Sequence, residues 1–231
     1  RARRADDLQM AGARTGPDAA LSPKFTGILG GSFNPAHGGH RRVSLFARDA
    51  LGLDEVWWLV SPGNPLKSAE GMAPLSARVS SARAAARRSP IRVTAIERQL
   101  GTRFTVDTLR ALVRRYPRRR FVWIMGADNL AQFHLWKDWR AIARTVPIAV
   151  FARPGYEAKA MASPAMAWLR RYRAAPSAFS QGRAQSLPLI VWLRFDPDPI
   201  SATALRREDP RWADRYASLA VRDGVTGKAI G

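Results

Sequence analysis

From Phe25 onward, short apolar runs alternate with longer helical text, and this alternation limits the chain to few architectures. Residues 25–29, 56–60, 91–95, 121–125, 148–151 and 189–193 are too short for helices. They are rich in Val, Ile, Trp and Phe, as buried strands are. Between them, residues 40–51, 75–88, 106–116 and 135–145 carry apolar side chains at helical spacing. Helical text returns from Ser201 and again from Pro210. Strands joined by helical crossovers predict an α/β fold, a parallel sheet with helices on both faces. Such sheets bind ligands where strands end at their carboxyl side. Four strand ends carry unusual text: 30–40, 61–67, 126–128 and 153–155.

The first of these reads Gly30-Gly31-Ser32-Phe33-Asn34-Pro35-Ala36-His37-Gly38-Gly39-His40. Two glycines let the backbone approach a ligand with no Cβ in the way. Ser32 adds a hydroxyl, and Pro35 stiffens the turn. His37 and His40 stand three apart at a helix start, which puts both rings on one face. Free N–H groups and a partial positive charge at that helix start describe a phosphate site. The spacing is neither G-x-x-x-x-G-K-[ST] nor G-x-G-x-x-G. Two imidazoles stand in their place, able to donate hydrogen bonds to phosphate oxygens. Zinc is the rival use of His-x-x-His. The chain has only His134 besides, no cysteine, and no carboxylate near the motif, so no metal site is expected there. A purely structural pair suits a polar, Gly-rich loop poorly.

Composition bounds the rest. The chain has 231 residues, 46% of them hydrophobic, enough for one sizeable core. It has no cysteine, which excludes disulfides and a thiol nucleophile and fits a reducing cytoplasmic setting. No apolar run approaches the ~18 residues of a membrane span, and no signal-peptide pattern opens the chain. Residues 1–22 lack an apolar period and are expected to be a disordered extension ahead of a single domain, 23–231, whose part from about 200 is helical. The formal charge is +20. Nucleic acid and small polyanions are the two partner classes this favours. Thirteen arginines crowd residues 78–120, in Ala-rich text without the aromatic interleaving of a single-strand binder.

Gly-Gly-Ser-Phe-Asn-Pro-x-His-x-Gly-His resembles the signature of nicotinate-nucleotide adenylyltransferases, a branch of the HxGH nucleotidyltransferase superfamily. The resemblance runs from about Phe25 past Arg206 and implies a Rossmann-like sheet. Ser61-Pro62-Gly63-Asn64-Pro65-Leu66-Lys67 is similar to the family's proline-rich loop ending in a basic residue, with Leu66 where many relatives have His. Thr102-Arg103-Phe104-Thr105-Val106-Asp107-Thr108-Leu109 is similar to the stretch whose threonine and amides receive a pyridine carboxylate. Thr105 or Asp107 is also a candidate cap for that helix, and Phe104 replaces the usual tyrosine. Gly126-Ala127-Asp128 matches the family's Gly-x-Asp at the nucleotide site, where Asp128 suits a ribose hydroxyl or Mg²⁺. Trp136 resembles the tryptophan that stacks on the nicotinate ring. Ile200-Ser201-Ala202-Thr203-Ala204-Leu205-Arg206 resembles a polyphosphate clamp of hydroxyls, helix amides and a guanidinium.

The resemblance implies adenylyl transfer from ATP to nicotinate mononucleotide, giving deamido-NAD and pyrophosphate, with Mg²⁺ carried by ATP. His37, His40, Lys67 and Arg206 are the implied catalytic residues. Gly30, Gly31, Ser32, Phe33, Gly126, Asp128, Ser201 and Thr203 complete the implied ATP site. Ser32, Lys67, Phe104, Thr105 and Trp136 are implied for the mononucleotide. Two alternatives remain open: another phosphorylated acceptor (nicotinamide mononucleotide or phosphopantetheine), or a basic RNA-binding module on the same scaffold.

Overall fold

The computed structural model describes residues 23–63, 71–180, 186–195, 200–217 and 220–230. Lys67 and the expected N-terminal extension lie outside the described residues. β1 (Lys24–Gly31) leads into α1 (Gly38–Leu51), and β2 (Glu55–Val60) into α2 (Leu75–Ala85). β3 (Ile91–Thr94) precedes α3 (Ile96–Leu100) and α4 (Thr105–Arg115). β4 (Arg119–Gly126) is followed by α5 (Ala127–Ala131), α6 (Trp139–Thr145) and β5 (Ile148–Phe151). Then come α7 (Glu157–Met161), α8 (Pro164–Leu169), β6 (Arg173–Ala174), α9 (Ser177–Ser180) and β7 (Ile190–Leu193). α10 (Ala202–Glu208), β8 (Val221–Arg222) and β9 (Ala229–Ile230) end the described chain.

Seven strands form one sheet in the order β3-β2-β1-β4-β5-β7-β6, and every pairing in it is parallel. The expected α/β sheet is therefore present. From β1 the chain steps outward to β2 and β3, and from β4 to the other edge. The direction reverses between β1 and β4, so a crevice opens where those two strands end.

Period-two alternation splits the strands between two cores. Trp57, Leu59, Phe121, Trp123, Met125, Ile148 and Val150 face one core, beside Val106, Leu109 and Leu112 of α4 and Ile142 of α6. Val56, Trp58, Val60, Val122, Ile124, Ala149 and Phe151 face the other, beside Val43, Ala47 and Leu51 of α1 and Val79 and Ala82 of α2. Helices thus cover both faces.

The expected helix over 135–145 is not continuous. A 3-10 turn covers Phe133–Leu135, Trp136 is extended, and Asp138 is left-handed at φ 46 before α6 begins. Trp136 packs edge-on against Phe133 and Trp123, at 5.3 and 6.2 Å between ring centroids. Burying an indole there outweighs helix propensity. α3, α5, α7 and α8 have five or six residues each, too few for a periodic signal. The C-terminal part is helical only at first and ends in an antiparallel hairpin, β8–β9. Asp223 anchors it, accepting from Thr94 Oγ1 and Ala95 N at 2.8 Å and from Val225 N and Thr226 N at 2.9 Å. Gly224 donates to the carbonyl of Val93, and a Cβ there would lie 2.6 Å from that oxygen.

Candidate functional site

The two histidines begin α1 and cap it reciprocally. Gly39 N–H donates to His37 Nδ1 at 3.2 Å, and His37 N–H donates to His40 Nδ1 at 3.3 Å. A neutral imidazole accepting at Nδ1 carries its proton on Nε2, so each ring keeps one donor. The rings lie 3.9 Å apart, and His40 rests on Phe33 at 4.9 Å. Burial, then the charge of Arg153, pulls the pKa of His37 down to about 4. Burial, then His37 and Arg153, pulls that of His40 down to about 3. Both are neutral hydrogen-bond donors near pH 7. The capping bonds occupy Nδ1 of each ring and leave the Nε2 nitrogens out of the cap.

The turn ahead of them is strained and held. Phe33 has φ 47, a left-handed conformation that costs a bulky residue about 1–3 kcal/mol. Asn34 Nδ2 donates to the carbonyl of Gly71 at 2.9 Å, and Ala73 N–H donates to Asn34 Oδ1 at 3.2 Å. Ser81 Oγ, on α2, accepts from Ala36 N at 3.3 Å. Arg206 Nη1 donates to the carbonyl of Asn34 at 2.6 Å and its Nη2 to Thr203 Oγ1 at 3.3 Å. Ser201 caps α10 through Ala204 N–H at 3.1 Å. Arg206, with Thr203 bonded to it, therefore meets the turn at Asn34 across 172 residues of sequence.

At the end of β4, Asp128 Oδ1 is buried without a hydrogen-bond partner among the described residues. Its Oδ2 lies 3.9 Å from Arg153 Nε. A Cβ at Gly126 would run into Asp128 and Phe151, so this glycine makes room for the carboxylate. Among the described residues, no group of three or more His, Asp or Glu side chains is placed to hold a metal ion.

Beside the turn lies a cavity of about 320 Å³. Gly30, Gly31, Ser32, Phe104, Thr105 and Trp136 line it. Gly30 also makes room for the Trp123 indole, which a Cβ there would strike. No side chain caps α4, which corrects the expected Thr105 or Asp107 cap and leaves the helix start open towards the cavity. Asp107 instead accepts from Lys137 Nζ at 3.0 Å, and that ammonium lies 4.7 Å from the centroid of Phe104.

Sequence reasoning missed Glu97, Arg103, Trp123 and Lys137 on the cavity wall, and Arg153 beside the histidines. Glu97 is buried, and Thr108 Oγ1 lies 3.0 Å from its Oε1. Burial pushes its carboxyl up to about 7 against the lowering effect of that bond. Arg153 was within reach of sequence reading, since Arg153-Pro154-Gly155 follows a strand. Of the residues implied by the motifs, all but Lys67 are described; they lie at the ends of β1 and β4, the starts of α1 and α4, at α10 and, for Trp136, in the extended segment before α6.

Comparison with known proteins agrees with that geometry. The cytidylyltransferase-like family model matches residues 28–208. A protein of Erythrobacter litoralis named "Probable nicotinate-nucleotide adenylyltransferase" is 68% identical over 89% of this chain and 94% of its own length. One of the same name from Bradyrhizobium sp. is 49% identical over 80% of this chain and 97% of its own. In fold, the chain resembles Plasmodium falciparum nicotinic acid mononucleotide adenylyltransferase complexed with NaAD. That likeness has a TM-score of 0.59 and 15% identity, covering 80% of this chain and 83% of that one.

Proposed function

The chain belongs to the nicotinate-nucleotide adenylyltransferases, and from that premise we propose how its own residues carry the reaction. It transfers the adenylyl group of ATP to nicotinate mononucleotide, forming deamido-NAD and pyrophosphate. The observation that carries the residue assignment is the pair of imidazoles at the start of α1, each accepting at Nδ1, in the turn that continues from the cavity-lining residues Gly30, Gly31 and Ser32.

The mononucleotide phosphate attacks the α-phosphorus directly, and the bond to pyrophosphate breaks as the new P–O bond forms. Positioning and charge stabilisation then do the work, as in other in-line transfers. His37 and His40 donate to the α/β-phosphates as charge builds. Neutral rings suit this, because they add donors without requiring a proton from solvent. Ser32, Phe33, Ser201, Thr203 and Arg206 hold the polyphosphate, with Lys67 the basic residue of its loop. Asp128 receives the ribose or supplies one oxygen to Mg²⁺. A single carboxylate fits an ion that arrives with the triphosphate, since Mg²⁺ commonly takes one or two carboxylates plus phosphates. Such an ion neutralises part of the triphosphate charge.

Trp136 and Phe104 flank the pyridine ring, while the uncapped start of α4 at Thr105 receives its carboxylate. Glu97, in its neutral form, lets the ring carboxylate share that wall with Arg103 and Lys137. Small molecules are thus the proposed partners. Among the described residues no helix is long and apolar enough to cross a membrane, and we assign the enzyme to the cytoplasm. Three arginines of the basic stretch bond within the fold. Arg119 and Arg92 bond Glu55 at 2.5 and 2.8 Å, and Arg83 bonds the carbonyl of Arg222 at 2.7 Å.

Pyrophosphate release with ATP–Mg²⁺, run in parallel with nicotinate and nicotinamide mononucleotides, tests this reading. Turnover should favour the nicotinate form. Equal rates would remove the carboxylate assignment, and no turnover with either would remove the function.

A further inference from the structure

Arg78 sits on α2, is 1% exposed, and has no carboxylate within ion-pair reach among the described residues. Its guanidinium donates to four backbone carbonyls instead. Nη1 reaches Ser32 at 2.9 Å and Ser61 at 2.7 Å, Nε reaches Ala73 at 2.9 Å, and Nη2 reaches Pro62 at 3.3 Å. A buried charge is costly unless hydrogen-bonded, so its presence here asks for a reason. Those carbonyls belong to the turn after β1, the turn after β2 and the entry to α2. One planar fork therefore ties three segments into one frame, which a lysine with its single nitrogen cannot span.

The consequence lies on the far side of each peptide. In a trans peptide the C=O and N–H point in opposite directions. Drawing the Ser32 carbonyl onto Arg78 turns the Phe33 N–H the other way, and drawing in the Pro62 carbonyl does the same for Gly63 N–H. The Phe33 amide is the first group of the strained residue at φ 47.

We propose that Arg78 is the positioning residue of the phosphate turn. Its four carbonyl bonds aim the Ser32–Phe33 amide outward at an anion, and its unpaired charge is the internal counter-charge to bound phosphate. The inference rests on reading residues 30–40 as a phosphate site. It needs no contact between Arg78 and substrate.

The test compares calorimetric binding of pyrophosphate and of adenosine by the full-length chain and by its R78Q and R78K variants, with thermal unfolding of each. R78Q should lose about tenfold or more in pyrophosphate affinity, the scale of charge-assisted contacts, while adenosine stays within about twofold. R78K keeps the cation but not the fork, and should lose roughly threefold or more for pyrophosphate alone. Unchanged pyrophosphate binding in either folded variant overturns the proposal. So does an equal loss of both ligands, which would mark a purely structural arginine. If R78Q does not fold, R78K alone decides. A parent chain that binds no pyrophosphate would instead overturn the phosphate-site reading beneath it.

Discussion

The two halves of the site are built by opposite means. The phosphate half is a strained turn fastened by hydrogen bonds from distant elements: Asn34 to Gly71 and Ala73, Ser81 to Ala36, Arg206 to Asn34. Its functional groups are dipoles, neutral imidazoles and the Arg206 guanidinium. The acceptor half is a preformed cavity walled by Trp123, Trp136 and Phe104, with an uncapped helix start at one side. In the proposed mechanism the first half has directional donors set where charge develops in the transition state. The second offers area and shape that serve ground state and transition state alike. Losses in the first should therefore fall on kcat, and losses in the second on KM.

The largest effect should come from His40→Ala. Removing one transition-state donor is expected to cut kcat by about 10²–10³-fold with little change in the acceptor KM. Steady-state kinetics of the purified variant checks this, and a KM effect alone would erase the distinction between the halves. Its melting temperature should also fall, because His40 Nδ1 completes the reciprocal cap of α1.

Next in size is a pH effect that separates the halves by sign. Glu97 titrates near 4.5 unfolded and near 7 folded. Its contribution is full below pH 4.5 and is lost as pH rises through 7, up to about 3 kcal/mol. His37 and His40 act in reverse. The unfolded rings take protons below 6.5, whereas the folded rings stay neutral to about 4 and 3. Stability from that half is full above pH 6.5 and falls on acidification. The two windows overlap between pH 4.5 and 6.5, so urea titrations across pH 4.5–8.5 should show stability rising more steeply with pH in E97Q than in the parent chain. An unchanged slope in E97Q would mean that Glu97 does not oppose the histidines.

Trp136→Ala should raise the KM for nicotinate mononucleotide about tenfold and leave that for ATP within twofold, as loss of one aromatic wall predicts. A matching rise for ATP would show that the cavity is shared. The smallest effect is expected from Lys137→Met. Its pair with Asp107 joins side chains 45% and 36% exposed, so stability should change by no more than about 0.5 kcal/mol in a thermal melt.

Legibility followed the same division. The phosphate half stood in eleven consecutive residues, because strand, glycine turn and helix start must be adjacent in the chain to make an anion site. Ser201, Thr203 and Arg206 were readable for a like reason, since a cap and a helical face are local. The cavity was readable only in part. Trp136 and Thr105 stood in motifs, but Glu97 and Trp123 looked like ordinary helix and strand text. Nothing local marks Glu97 as a buried acid, because its burial comes from the packing of α3 against α4 and from Thr108, eleven residues on. The break at residues 136–138 escaped for the same reason: an indole seeking the cavity wall outweighs the helical pattern around it.

Sequence alone determined the α/β alternation, the strand ends that carry chemistry and the pair of histidines. Each depends on neighbours within a turn or two, where spacing is geometry. Only the tertiary structure decided which ring nitrogen donates, why Gly30 must be glycine, and how Arg78 and Arg206 hold one turn from 46 and 172 residues away. Those contacts arise from the reversal of strand order between β1 and β4 and from helices folding over it. No local pattern encodes which segments such packing brings together.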